Sequence, residues 1–108
     1  MWWNPSESGT GYSIQVQHGV LVATMFSYAP SGEPIWYLAF GPLTNAGGGV
    51  AATGTLGKYR GGQCASCTFR AATEMGTDGG ITITFTSPMA ATVQLPGGRV
   101  TRIQPEAW

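Results

Sequence analysis

Helix-breaking residues are spread along the whole chain: 17 Gly and 7 Pro take roughly one position in five of its 108 residues. That spacing leaves almost no room for a long amphipathic helix. The chain is nevertheless too apolar to stay disordered, with a hydrophobic fraction of 43% that includes four Trp, four Tyr and four Phe. It reads as one domain over residues 1–108. A chain of this length buries somewhat over ~60% of its unfolded surface, enough for one core and not for two.

Five basic and five acidic residues cancel to a net charge of zero, and the nearest basic pairs, Lys58 with Arg60 and Arg99 with Arg102, form no patch. Affinity for nucleic acid grows with each phosphate counterion released, so no nucleic-acid partner is expected. No apolar run approaches the roughly 20 residues of a membrane-spanning helix, so no membrane span is expected. Met1 is followed at once by Trp2, Trp3 and the turn-forming Asn4-Pro5, without a basic segment or a small-residue cleavage site. No signal peptide is read there, and the expectation is a mature or excised domain whose targeting segment is absent from this chain.

Period-two alternation marks the strands. Tyr12, Ile14 and Val16 alternate with Ser13, Gln15 and Gln17, and His18-Gly19 supplies a tight turn. Residues 20–28 and 35–40 are apolar on both faces and are separated by Ala29-Pro30-Ser31-Gly32-Glu33-Pro34, which carries Pro and Gly at turn positions. Residues 41–50 shift to Gly, Asn, Thr and Ala and read as a flexible connection. A fourth strand is expected over 53–59, a loop over 61–67, a short strand over 68–72 and a turn-rich link over 74–80. Ile81, Ile83 and Phe85 then alternate with Thr82, Thr84 and Thr86. Strands over 91–95 and 99–104 flank the hairpin signal Pro96-Gly97-Gly98.

Short strands about ten residues apart, joined by hairpin-length links, predict an all-β antiparallel up-and-down meander closing into a small barrel of seven or eight strands, with no helix. Closure also hides edges that an almost uncharged chain cannot protect with lysines. The two-sided apolar strands over 20–40 further predict a homo-oligomer packed through their outward faces.

Cys64-Ala65-Ser66-Cys67 admits three readings. A structural zinc needs about four ligands, and His18 is some forty residues away, so no metal held within one chain is expected. A thioredoxin-like site needs a helix N-terminus, and nothing after Cys67 reads as helix. A local disulfide, or inert thiols, is preferred; metal shared between subunits and redox catalysis are the other two readings. No cofactor is expected.

Glu7 is the one carboxylate in the first thirty-two residues and lies in the loop Asn4-Pro5-Ser6-Glu7-Ser8-Gly9 between Trp2, Trp3 and Tyr12. Desolvation makes such a group an acid or base, whereas loop amides make it a charged structural clasp, the commoner outcome. Ser8, His18 and Glu7 supply the residue types of a nucleophilic triad, but without a nucleophile elbow and with His18 at a hairpin tip. Trp2, Trp3, Trp36, Tyr37 and Trp108 are many large rings for so small a core. They fill the core or an interface, or they line a ligand platform.

Trp2-Trp3-Asn4-Pro5-Ser6-Glu7-Ser8-Gly9-Thr10-Gly11, followed by Phe26-x-Tyr28-x-x-x-Gly32-x-Pro34-x-Trp36-Tyr37, resembles a bacterial module of the WWNPxESGxG type. Modules of that type occur in exported proteobacterial proteins, in tandem or appended to larger exported enzymes. The resemblance spans most of the chain, continuing through Gly54-x-Leu56, Cys64-x-x-Cys67, Thr84-Phe85 and Ile103-Gln104. It implies an all-β module exported to the periplasm or beyond, and it carries over no catalytic residue. The ending Pro105-Glu106-Ala107-Trp108 departs from the aromatic-rich final strand of that pattern.

The first functional expectation is a binding or interaction module. In it Trp2, Trp3, Glu7, Tyr12, Trp36 and Tyr37 hold an apolar or carbohydrate small molecule, or a partner. The second is an enzyme with Glu7 as acid or base and Tyr12, His18 or a nearby Arg in support, in a cavity or between identical subunits. The third is a structural spacer.

Overall fold

A computed structural model describes residues 1–107. Its strands are β1 (Trp2–Trp3), β2 (Gly11–Gln17), β3 (Val20–Tyr28), β4 (Pro34–Pro42), β5 (Thr44–Ala46), β6 (Gly49–Gly61), β7 (Ala72–Ser87), β8 (Ala90–Gln94) and β9 (Val100–Pro105). The one helical element among the described residues is a 3-10 turn at Pro96–Gly98. Eight strands form a closed antiparallel barrel in which chain neighbours are sheet neighbours, and β5 is an extra strand on the start of β6. Two contacts close the ring: β4 pairs β6 through Trp36↔Tyr59, Tyr37↔Lys58 and Leu38↔Gly57, and the two-residue β1 bridges β2 and β9. The up-and-down barrel read from the sequence is the observed fold.

Three segments differ from the sequence reading. Residues 41–50 contain the end of β4, all of β5 and the start of β6. Glycine is needed there for backbone approach at Gly41 and for the hairpin turn at Gly47 and Gly48, whose φ values are 55° and 94°. Residues 74–80 belong to β7 rather than to a link, because β6 supplies hydrogen-bonding partners at Glu74, Thr77 and Gly80. Gly76 and Gly79, with φ of 89° and 95°, are absorbed as irregularities in that long strand. Residues 68–71 form no strand.

Alternation assigns the faces. Tyr12, Leu21, Ala39, Leu56, Ile83, Val93 and Ile103 point inward into one core. Ile83 and Val93 face each other across β7 and β8 and are 1% and 0% exposed, which marks the packed centre. Fixed strand tilt leaves an eight-stranded barrel an interior wide enough for side chains or one small ligand. One end carries the turns at His18-Gly19, Gly47-Gly48 and Ser87–Met89. The opposite end carries the 4–10 loop and the Pro96–Gly98 turn.

β6 and β7 run on past that second end as a two-stranded arm, paired through Tyr59↔Glu74, Arg60↔Thr73 and Gly61↔Ala72. The arm gives the molecule extents of 46 × 28 × 28 Å. At its tip Cys64 and Cys67 form a disulfide, with Cα atoms 5.0 Å apart. The local disulfide is thus the arrangement found.

Candidate functional site: a barrel mouth and an outer aromatic row

The packed centre ends one layer below the first rim. Above it, Trp2, Val16, Leu43, Val50, Phe85 and Pro88 line an open cavity of about 780 Å³, with Asn45, Thr86 and Ser87 as its polar side chains. Val16 and Phe85 are the last inward positions of β2 and β7 before a turn, and Val50 follows the turn that opens β6. Tyr12, Ile14 and Val16 share the inner face of β2, and Ile81, Ile83 and Phe85 that of β7. Trp2 meets Phe85 edge to face, with ring centroids 5.3 Å apart and planes at 80°, a favoured aromatic geometry. The volume falls within the roughly 300–1,000 Å³ of small-molecule sites. Among the described residues no charged side chain lines it, so the cavity suits a neutral, largely apolar ligand.

The far end of the barrel is closed by polar contacts. Asn4 Nδ2 donates to Thr101 Oγ1 at 3.0 Å, while Asn4 Oδ1 accepts from the Ser6 amide at 2.9 Å. Thr101 is the one polar residue buried among the described residues, so this bond satisfies a hydroxyl that water reaches poorly. The Glu7 carboxylate pairs with Arg99. Tyr12 lies just inside, 4% exposed, and its phenol is pushed up to about 12, first by burial and then by Glu7, against an opposing effect of Arg99. Beside the arm, the Tyr37 hydroxyl donates to Asp78 Oδ2 at 2.7 Å, and Lys58 Nζ lies 3.1 Å from the same oxygen. Burial, then the hydrogen bond to Asp78 and its charge, push Tyr37 up to about 12. The Tyr37 and Lys58 bonds hold Asp78 below the usual carboxylate value.

The six residues expected to hold a ligand therefore divide among several places. Trp2 lines the mouth, Tyr12 is core, Glu7 closes the far end as a charged clasp, and Tyr37 anchors Asp78. Trp3 and Trp36 face outward. Trp36 stacks on Tyr59 at 4.4 Å with planes 15° apart. Trp108 lies outside the described residues. Of the catalytic candidates, Glu7 and Tyr12 come together at the far end beside Arg99, whereas His18 stands apart from them: Glu7 precedes β2 and His18 follows it. Seven strand residues rising about 3.3 Å each put roughly 20 Å between them. His18 sits exposed at the β2–β3 turn with a φ of 54°. Ser8 stays with Glu7 at the other end, so no triad forms.

Sequence reasoning passed over Val16, Leu43, Val50 and Phe85 as mouth residues. A usable signal is present for Val16 and Phe85, the last inward residue before each turn. Leu43 and Val50 were hidden in the glycine-rich stretch. Among the described residues no group of three His, Cys, Asp or Glu side chains could hold a metal ion, and no helix is long and apolar enough to cross a membrane. Comparison of the chain with protein-family models, curated proteins and solved structures gives no match.

Proposed function

We propose that this barrel is a small-ligand-binding module whose mouth takes a neutral apolar molecule. The observation that carries the reading is the Trp2–Phe85 ring pair inside an uncharged cavity of about 780 Å³. Rings held by strand pairing offer a preformed apolar surface, so little ordering cost opposes binding. The WWNPxESGxG resemblance and the Cys64–Cys67 bridge support placing the module in a bacterial exported protein, since disulfides persist in oxidising compartments. Val20, Val22 and Phe40, exposed on the outer faces of β3 and β4, support self-association through that wall.

The test uses the neutral fluorescent probe N-phenyl-1-naphthylamine. Its emission rises on saturable binding, and Trp2→Ala and Val50→Arg, which remove the ring and obstruct the rim, abolish the rise while far-UV circular dichroism stays unchanged. No saturable signal from the intact protein, or an equal signal from both variants, overturns the reading. Sedimentation of the intact chain against Phe40→Lys tests self-association; an unchanged monomer mass for both removes it.

A further inference from the structure

The arm ends in the most exposed large apolar side chain among the described residues: Phe69, 80% exposed, in the loop between the strand ends Gly61 and Ala72. A single ring in water is ordinary on a protein surface. Here it coincides with a separation of charge. Residues 60–73 hold Arg60 and Arg70 and no Asp or Glu, while the rest of the chain holds three basic and five acidic side chains. The neutral molecule is therefore polarised along its 46 Å long axis, formally +2 at the arm tip and −2 elsewhere. Both arginines are exposed, and neither joins an ion pair among the described residues, where Lys58 pairs with Asp78 and Arg99 with Glu7. Glu74, the first carboxylate after the tip, lies opposite Tyr59, so alternation turns it to the other face of the ribbon from Arg60.

The loop that presents these side chains is held in shape. The Cys64–Cys67 bridge spans a turn in which the Cys67 amide donates to the Cys64 carbonyl at 3.1 Å. Across the loop the Arg70 amide donates to Gln63 Oε1 at 3.0 Å, which fixes the backbone next to Phe69. A shape set during folding leaves little ordering cost at the moment of contact. The loop has ten residues, 62–71, whereas a stable protein interface takes about 20–30 residues a side. A bilayer surface needs no matching shape. A protruding ring enters the boundary between headgroups and acyl chains, and a guanidinium forks a lipid phosphate.

We propose that the arm tip is a docking point for an anionic bilayer surface, with Phe69 entering the interface and Arg60 and Arg70 on lipid phosphates. Two cations and one ring give weak, reversible attachment rather than anchoring. The barrel then stands off the surface, with its mouth open at the opposite end. No mouth residue takes part, so docking and ligand binding can fail independently.

The experiment floats the intact, oxidised chain with vesicles of phosphatidylglycerol and phosphatidylethanolamine, and separately with phosphatidylcholine vesicles. At low salt and millimolar lipid the chain is expected to float with the anionic vesicles and not with phosphatidylcholine, and to be released at about 0.5 M salt. Arg60→Gln and Arg70→Gln should each weaken association about fivefold, and Phe69→Ser about fivefold or more. Arg102→Gln, which removes a cation from the barrel, should leave it unchanged. Phe69→Trp should add indole emission that bromine on the acyl chains quenches. No flotation with anionic vesicles, equal flotation with phosphatidylcholine, or equal losses from Arg102→Gln and Arg70→Gln overturns the inference. Retention on immobilised polyglutamate as strong as on the vesicles also overturns it, assigning the tip to an acidic protein.

Discussion

A β-carbon placed on Gly41 would lie 2.1 Å from the carbonyl oxygen of Thr53, so β4 and β6 meet backbone to backbone where the barrel closes. Gly54 mirrors this from the other strand, with 2.6 Å to the Phe40 carbonyl oxygen. Backbone cannot yield as a flexible side chain does. Gly41→Ala is therefore expected to cost about 3 kcal/mol or more by opening the seam. Gly57→Ala, whose nearest neighbours are at 3.5 Å, should cost under about 1 kcal/mol. Urea denaturation of the two variants checks the contrast; equal midpoints refute it.

Ile83 and Val93 fix the centre of the core. Ile83→Ala should destabilise by about 2–5 kcal/mol through lost burial plus a cavity, and Ile83→Val by about 0.5–1.5 kcal/mol. Chemical denaturation measures both, and a loss below about 1 kcal/mol for the alanine variant would mean that the barrel collapses around the gap.

The clasp at the far end separates a buried bond from an exposed one. Asn4→Ala strands the Thr101 hydroxyl and should cost about 1–3 kcal/mol. Arg99→Ala breaks the pair with Glu7, but the Arg99 side chain is 56% exposed, so the loss should stay below about 1 kcal/mol and shrink with salt. Thermal melts at two ionic strengths distinguish the two variants.

Tyr12 and Tyr37 are each raised from 10.0 to about 12, so folding favours their neutral forms. Stability from these groups is fully present below pH 10.0 and is lost as the pH rises towards about 12. An absorbance titration at the tyrosinate band should show a late phase that Tyr37→Phe diminishes. Asp78 has the opposite sign: its lowered value makes stability present above 3.8 and lost as the pH falls through the folded value. Tyr37→Phe should therefore flatten the acid limb of stability as well, and an unchanged limb counts against the Tyr37–Asp78 bond.

Reduction of Cys64–Cys67 opens a ring of four residues at the arm tip, where the chain-entropy cost is only about 2 kcal/mol and lies away from the core. Mild reductant should speed proteolysis within residues 62–71 while the melting temperature of the barrel falls by no more than about 10 °C, the shift that about 2 kcal/mol gives a domain of this size. Cooperative collapse of the whole fold on reduction is the contrary result.

Local pattern made most of the barrel legible. Alternation over residues 12–17 and 81–86, and the breaks at His18-Gly19 and Pro96-Gly97-Gly98, determine strand, face and turn, because side chains in a strand alternate with a period of two whatever the strand pairs with. The same rule puts Trp2 and Trp3 on opposite sides. Which of them faces the cavity was decided only by pairing with Tyr12 and Pro105. Tertiary structure alone also decided that most of glycine-rich residues 41–50 and all of 74–80 are strand, that Trp36 meets Tyr59 across the seam, and that Asn4 reaches Thr101, 97 positions away. Those contacts depend on the stagger at which the sheet closes on itself. That stagger is fixed by backbone approach at Gly41 and Gly54 and by the fit of the whole core, neither of which leaves a trace in any short run of residues.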